Sequence, residues 1–187
     1  MSKSTNRCPW CGNDDIYVKY HDDEWGKKVR DDKTLFEFLV LESAQAGLSW
    51  ITILKRREGY RRLFANFDVD KVANFTQDDI DRIVQDPAII RHRGKIASTV
   101  TNAQIFKQIQ SEYGSFYNYL YSFMPDGQSI NNSLKDLSDG QATSKESDSI
   151  AKDLKKRGVK FFGSTICYAY MQAVGMVNDH LTSCDYK

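Results

Sequence analysis

Hydrophobic positions along the chain recur at helical rather than alternating spacing. After Asp32 the run LFEFLVLESAQAG sets Leu35, Phe36, Leu39 and Val40 on one stripe. Gly47 supplies the left-handed residue that ends such a helix. Ser49 then stands as N-cap of a second helix through WITILKRREGYRRLF, which leaves only the short, apolar-tipped turn Gly47-Leu48-Ser49 between the two. Thr76 and Asp79 form a capping box for DDIDRIVQD, and Pro87 breaks that run. A long helix is predicted from near Arg93 to Gly114, with a short aromatic one over FYNYLYSF. Ser144 or Ser147 caps SIAKDLKKR, which Gly158 closes, and GSTICYAYMQAVG reads as an apolar, nearly buried helix. Residues 125–144 are polar and rich in turn formers, so they read as a surface connection. Alternation of period two is scarce, leaving room for short strands only near residues 15–20, and there is no internal repeat. The pattern predicts an all-α protein of about eight helices.

Composition narrows this further. The 187 residues suit one domain, or two small lobes sharing a core. A mean hydropathy of −0.56, with no apolar run near twenty residues, excludes a helical membrane span. The N-terminus, MSKSTNRCPW, has no apolar segment after its lysine, so no secretory signal is expected and the protein reads as cytoplasmic. The 26 Lys+Arg nearly balance 25 Asp+Glu, a total that leaves nucleic-acid binding open. The distribution says more. Lys55, Arg56, Arg57, Arg61 and Arg62 crowd one helix, while Asp14, Asp15, Asp22, Asp23, Asp31 and Asp32 crowd the N-terminal region. Arg91, Arg93 and Lys95 crowd the hairpin IIRHRGK, whose Gly94 would let backbone amides approach a phosphate. A helix–hairpin–helix with glycine among basic residues is a sign of phosphate binding.

Cysteines and histidines suggest a metal. His180 and Cys184 are four apart and would share one helix face, while Cys8 and Cys11 lie close in sequence to His21. A Cys and a His from each end would complete a tetrahedral N₂S₂ zinc site that ties two frayable ends together. The same residues could instead be unconnected buried thiols and surface histidines. Cys8-Pro-Trp-Cys11 is also a C-x-x-C motif, but a redox dithiol needs a βαβ setting that this helical chain lacks. Cys167, in the apolar helix, reads as an inert core thiol.

Tyr20, Trp25 and Trp50, with Trp10 upstream, lie close to turns in the first third of the chain. Singly they suit a core; together they could form a stacking slot for a flat base. Glu42 falls on or beside the apolar stripe of its helix. A carboxylate there is costly to bury unless paired or reserved for a ligand, or else it simply faces water.

The segments RCPW, YHDDEWG, LESAQAGLSWITILKRRE, IIRHRGKI, KKRGVKFFGSTICY and MQAVGMVNDH together resemble the 3-methyladenine DNA glycosylase I family over nearly the whole chain. The resemblance implies an all-α helix–hairpin–helix DNA glycosylase fold with a structural zinc site joining the N- and C-terminal segments. Its ligands would be Cys8, His21, His180 and Cys184. It implies one glycosylase domain over 1–187, with a termini lobe (about 1–40 plus 144–187) and a hairpin lobe (about 41–143). It implies a base pocket of Tyr20, Trp25, Glu42 and Trp50, with Trp10 at its edge. Glu42 would be the catalytic carboxylate. Double-stranded DNA carrying alkylated bases would be the partner and free 3-methyladenine the product. Gly47, Leu48 and Ser49 would meet the DNA, Leu48 as a wedge in the gap left by a flipped base. Arg91, Arg93, Gly94 and Lys95 would face phosphates. Two features stand apart. Cys11 could compete for the metal, and IIRHRGK carries neither Gly-x-Gly nor the catalytic aspartate of the wider superfamily. No lysine is placed as a Schiff-base nucleophile, so a monofunctional hydrolase is expected, and nothing points beyond a monomer. The rival reading is a zinc-stabilised DNA-binding module without catalysis, for which Arg91, Arg93 and the Lys55–Arg62 stretch would suffice.

Overall fold

The computed structural model describes residues 5–187; part of the segment read above for a secretory signal lies outside them. Ten α-helices carry the described chain: α1 (Asp15–Asp23), α2 (Asp32–Gln45), α3 (Trp50–Leu54), α4 (Arg57–Leu63), α5 (Val69–Ala73), α6 (Gln77–Ile83), α7 (Arg93–Tyr113), α8 (Phe116–Tyr121), α9 (Lys145–Arg157) and α10 (Ser164–Ala173). None is long and apolar enough to cross a membrane.

α2 is the axis. Every residue from Leu35 to Ala44 is buried. A helix covered on all sides has no solvent face, and α3, α7, α8 and α10 all pack on it. Its start doubles as a staple. The Asp32 carboxylate accepts from Phe116 N at 2.9 Å, Tyr117 N at 3.2 Å and Gln110 Nε2 at 2.7 Å, and so caps α8 from a distant helix. Local signals elsewhere act as expected. Thr76 and Asp79 complete their capping box, Ser144 and Ser147 complete theirs, and Gly114 and Gly158 are left-handed at the ends of α7 and α9. Cys167 is fully buried in α10.

Three expectations need correction. Residues 15–20 are helical, not extended, because the Asp14 carboxylate accepts from Ile16 N at 3.1 Å and nucleates α1. The predicted helix after Ser49 is two helices. Arg56 N turns to Ile53 O at 2.9 Å and the Arg56 backbone opens to φ −106°, which redirects α4 so that its arginines reach back to α1 and α2. Ser49 holds the N-cap position, but its hydroxyl meets Thr52 Oγ1 at 2.7 Å instead of a backbone amide.

The third concerns residues 125–144, which are more than a surface connection. Within them β1 (Ile130–Asn131) pairs in parallel with β2 (Val177–Asn178), and Leu134 bridges Leu181. Ser129 Oγ donates to Gly175 O at 2.8 Å. These partners lie far along the chain, so no local pattern announces them. The C-terminal segment in turn lies on the N-terminal one, through Gly26 N to Gln172 O at 2.9 Å and Val29 N to Val174 O at 3.0 Å.

Gly175 makes this junction possible. Its φ is +71°, and a Cβ there would run into the backbone of Lys27 and Lys28. Gly175→Ala is therefore expected to cost about 3 kcal/mol or more, from left-handed strain plus overlap that backbone cannot relieve. Urea denaturation checks this; an unchanged midpoint would show that the close approach is dispensable.

Candidate base pocket and metal cluster

α1, α2, α3 and the C-terminal segment converge on one cavity of about 250 Å³. Tyr17 and Tyr20 come from α1, Glu42 and Gln45 from the last turns of α2, and Trp50 from the start of α3. Trp10 and Trp25 close one side; Ala169, Gln172 and Asp179 close another. All five residues expected in the pocket thus line it. The rings meet edge to face or tilted, and not flat on one another. Trp10 and Trp25 lie 4.7 Å apart at 68°, and Tyr20 and Trp50 lie 5.5 Å apart at 57°. Such a lining suits a single flat heterocycle with a few polar groups.

The polar groups are unusual. Glu42 is 2% exposed, and its Oε2 has no hydrogen-bond partner among the described residues. Burial alone pushes its carboxyl up to about 8. Trp50 Nε1 is likewise buried without a partner. Glu37, on the same helix, is a useful contrast. It is also buried, but Arg57 Nε lies 2.6 Å away and Arg61 Nη2 lies 2.8 Å away. Glu37 is a compensated structural carboxylate. Glu42 is an uncompensated one on a cavity wall, which is the arrangement of a group awaiting a ligand. Tyr20, fully buried, stays a neutral phenol because burial and then the nearby Glu42 hold its pKa well above the ordinary value.

Behind the aromatic wall, Cys8, His21, His180 and Cys184 offer four ligand atoms within 4.8 Å of one another, all buried. Cys184 Sγ is 3.3 Å from His180 Nδ1 and 3.5 Å from His21 Nε2, and Cys8 Sγ is 3.6 Å from His180 Nδ1. A tetrahedral ion bound at about 2.3 Å to sulfur and about 2.05 Å to nitrogen sets each S···N edge at about 3.5 Å. The donor set therefore fits a metal ion in both identity and size. The far nitrogens are oriented too: His21 Nδ1 meets Asp22 Oδ1 at 2.8 Å and His180 Nε2 meets Trp25 O at 3.1 Å. Cys11 lies outside the group; its thiol donates to Cys8 O at 3.2 Å. One expectation about this cluster needs correcting. His180 and Cys184 sit on an irregular turn after β2, with Cys184 N on Leu181 O at 2.9 Å, and not on a helix face.

The basic residues are placed differently from expectation. Lys55 pairs with Asp14 at 2.7 Å, Arg57 with Glu24 at 2.8 Å and Arg62 with Asp86 at 2.9 Å. Asp14, Glu24 and Asp86 thus each pair with one member of the α3–α4 basic run. Arg91, Arg93 and Gly94 are exposed at the start of α7, with Arg93 on Asp81 at 2.6 Å. Lys95 is turned inward: its ammonium donates to Ala44 O at 2.9 Å and Ala46 O at 2.7 Å. Gly47 is left-handed (φ +82°), and Leu48 beside it is 39% exposed at the end of the cavity's α2 wall.

Sequence reasoning missed Tyr17, Gln45, Gln172, Asp179 and the loop residues Leu134, Leu137 and Gly140. Tyr17 was findable, since it stands one turn before Tyr20 once residues 15–23 are read as a helix. The loop residues carry no local signal. They arrive through the β1–β2 pairing and through Asn132 Nδ2, which donates to Asp179 Oδ1 at 2.7 Å.

The profile of the methyladenine glycosylase family matches residues 10–187. DNA-3-methyladenine glycosylase 1 of Escherichia coli is 47% identical over 178 residues, 95% of each chain. DNA-3-methyladenine glycosylase of Haemophilus influenzae is 45% identical over 183 residues, 98% of each. Among solved structures, a variant of 3-methyladenine DNA glycosylase I in complex with 3-methyladenine superposes with a TM-score of 0.94 at 38% identity, covering 98% of both chains.

Glu42 has a measurable signature. Its carboxyl ionises near 4.5 when unfolded and near 8 when folded, so between those values the folded chain holds an extra proton. Stability is then expected to fall as pH rises from about 5 to about 8, by up to about 1.4 kcal/mol per pH unit. Glu42→Gln should lack this component. Urea denaturation of both proteins across that range checks it, and parallel pH profiles would refute the assignment.

Proposed function

Because the chain belongs to the methyladenine glycosylase family, we propose that it excises 3-methyladenine from alkylated double-stranded DNA, hydrolysing the N-glycosidic bond to leave an abasic site. The observation that carries this reading is Glu42, a buried carboxyl without a partner on the wall of an aromatic cavity.

The chemistry follows from the substrate. Adenine methylated at N3 within DNA is a cation and already a good leaving group, so the protein must mainly select and extrude it. Tyr20, Trp25 and Trp50 offer π faces and edges that favour a cationic base over a neutral one by about 0.5–2 kcal/mol. Stacking on them offsets part of the cost of flipping. Glu42 accepts a hydrogen bond from the exocyclic N6 amino group; guanine has a carbonyl there and is repelled. An arriving cation also favours the ionised carboxylate, so binding drives a proton off Glu42. The C1′–N9 bond then breaks with its electron pair going to the base, which leaves neutral. Water bonds to C1′ and loses a proton. Leu48 enters the vacated gap in the duplex, with Gly47 and Ser49 setting its turn.

The same reading assigns α6, residues 84–92 and α7 as the helix–hairpin–helix, with Arg91, Arg93 and Gly94 towards phosphates. It keeps the termini lobe (1–40 plus 144–187) and hairpin lobe (41–143) of one domain, since the cavity draws residues from both. It assigns one structural zinc to Cys8, His21, His180 and Cys184, in a monomer acting in the bacterial cytoplasm. Thiolate–imidazole donors suit zinc, and a site with four protein ligands supplies cohesion and no chemistry.

Two outcomes are expected. Chromatography of bases released from methylated DNA should show free 3-methyladenine with the strand uncut. Glu42→Gln should slow release by tenfold or more, about 1.4 kcal/mol. Absence of release by the unaltered protein would leave a DNA-binding module instead. Elemental analysis should find one zinc per chain, and its chelation should lower the thermal midpoint. A metal-free protein of undiminished stability would refute the site.

A further inference from the structure

Lys95 stands in the first turn of α7, among residues that look like phosphate ligands, yet its side chain points the other way. Its ammonium bridges Ala44 O (2.9 Å) and Ala46 O (2.7 Å), two carbonyls that the end of α2 leaves without helical partners. A cation there also meets the negative end of the α2 dipole. The lysine backbone is fixed as well. Lys95 N donates to the N-cap His92 Nδ1 at 3.1 Å, and Lys95 O accepts from Ser98 Oγ at 2.8 Å and Thr99 Oγ1 at 2.9 Å. The Lys95 side chain is half-buried, and burial lowers its pKa.

The two ends of this strap matter. Ala44 lies two residues after Glu42, and Ala46 is the residue from which the chain turns through left-handed Gly47 to exposed Leu48. At the other end, Arg91, His92, Arg93 and Gly94, the four residues just before Lys95, are all exposed. We propose that Lys95 is a positioning residue that locks the DNA-facing first turn of α7 to the end of α2, so that backbone engagement, the Leu48 tip and Glu42 move as one rigid unit. The proposal rests on the glycosylase reading above. Without the strap, the last turn of α2 would carry unpaired carbonyls and the Gly47 turn would be free to swing, while the cavity walls and the exposed arginines would be unaltered.

The test separates this role from a phosphate contact and from a general loss of stability. Lys95→Met keeps the aliphatic stem and removes the ammonium. Its single-turnover release of 3-methyladenine from duplex DNA is expected to slow by about ten- to hundredfold, or 1.4 to 2.7 kcal/mol. The fraction of folded protein by circular dichroism at the assay temperature and the affinity for free 3-methyladenine should both be unchanged. The slope of log affinity for DNA against log salt should also be unchanged. A slope shallower by about one, with affinity lost uniformly across sequences, would make Lys95 a phosphate ligand and overturn the proposal. So would release at the unaltered rate. If Lys95→Met does not fold, lysine acetylation of the unaltered protein decides. Lys95 should resist modification with and without DNA; ready modification that duplex DNA suppresses would overturn the strap. Failure of the unaltered protein to release any base would instead sink the glycosylase reading.

Discussion

A carboxyl group held out of water with no partner is the constraint around which this molecule is organised. Glu42 sits on α2, buried from Leu35 to Ala44, and nothing among the described residues compensates it. Such a group can be kept only if the surrounding packing is strong enough to outweigh its desolvation. α2 has that packing: its apolar residues are covered by α3, α7, α8 and α10, and its start is tied to α8 through Asp32. The helix that bears the cost is also the one the fold holds most firmly. Glu37, one helix but two arginines away from that condition, shows that the protein does compensate buried carboxylates where no ligand is intended.

The Cys/His cluster and the pocket are one construction. Trp25 packs 4.6 Å from His180 and Trp10 packs 5.2 Å from His21, so the aromatic wall leans directly on two of the four ligand residues. The Trp25 carbonyl also accepts from His180, which orients that ring. A bound ion would fix both imidazoles, and through them the edge-to-face geometry of the wall. Asn6 and Asp185 exchange hydrogen bonds at the same junction, at 2.8 and 3.0 Å. Cohesion of the chain ends is thereby converted into rigidity of a binding surface.

Charge is distributed with comparable economy. Within the α3–α4 basic run, Lys55, Arg57, Arg61 and Arg62 pair with Asp14, Glu24, Glu37 and Asp86, which ties α4 to α1 and α2. At the exposed start of α7, Arg93 is likewise paired, with Asp81 at 2.6 Å, while Arg91 and Gly94 stand exposed beside it. On the proposed reading, few phosphate contacts would give weak, readily reversible binding with a shallow dependence on salt.

Much of this is written in local sequence. The caps at Thr76, Ser144 and Gly158 and the existence of helices α2 and α10 follow from periodicity and capping chemistry, which act over a few residues; that α2 is buried on every side and not along one stripe does not. Rare, chemically specific residue types pointed to a Cys/His group able to hold a metal and to the aromatic set; the choice of Cys8 over Cys11 came from the family resemblance. What sequence could not decide depends on partners distant along the chain. Whether Glu42 faced water or cavity was set by which helices cover α2. Whether Lys95 met a phosphate or a carbonyl was set by where α2 ends relative to α7. The polar stretch 125–144 became a pocket wall only by pairing with residues 177–181. Local chemistry determines which elements form and which residues are capable of function; the packing of remote segments decides which of those capable residues are left without a partner, and therefore where a ligand can bind.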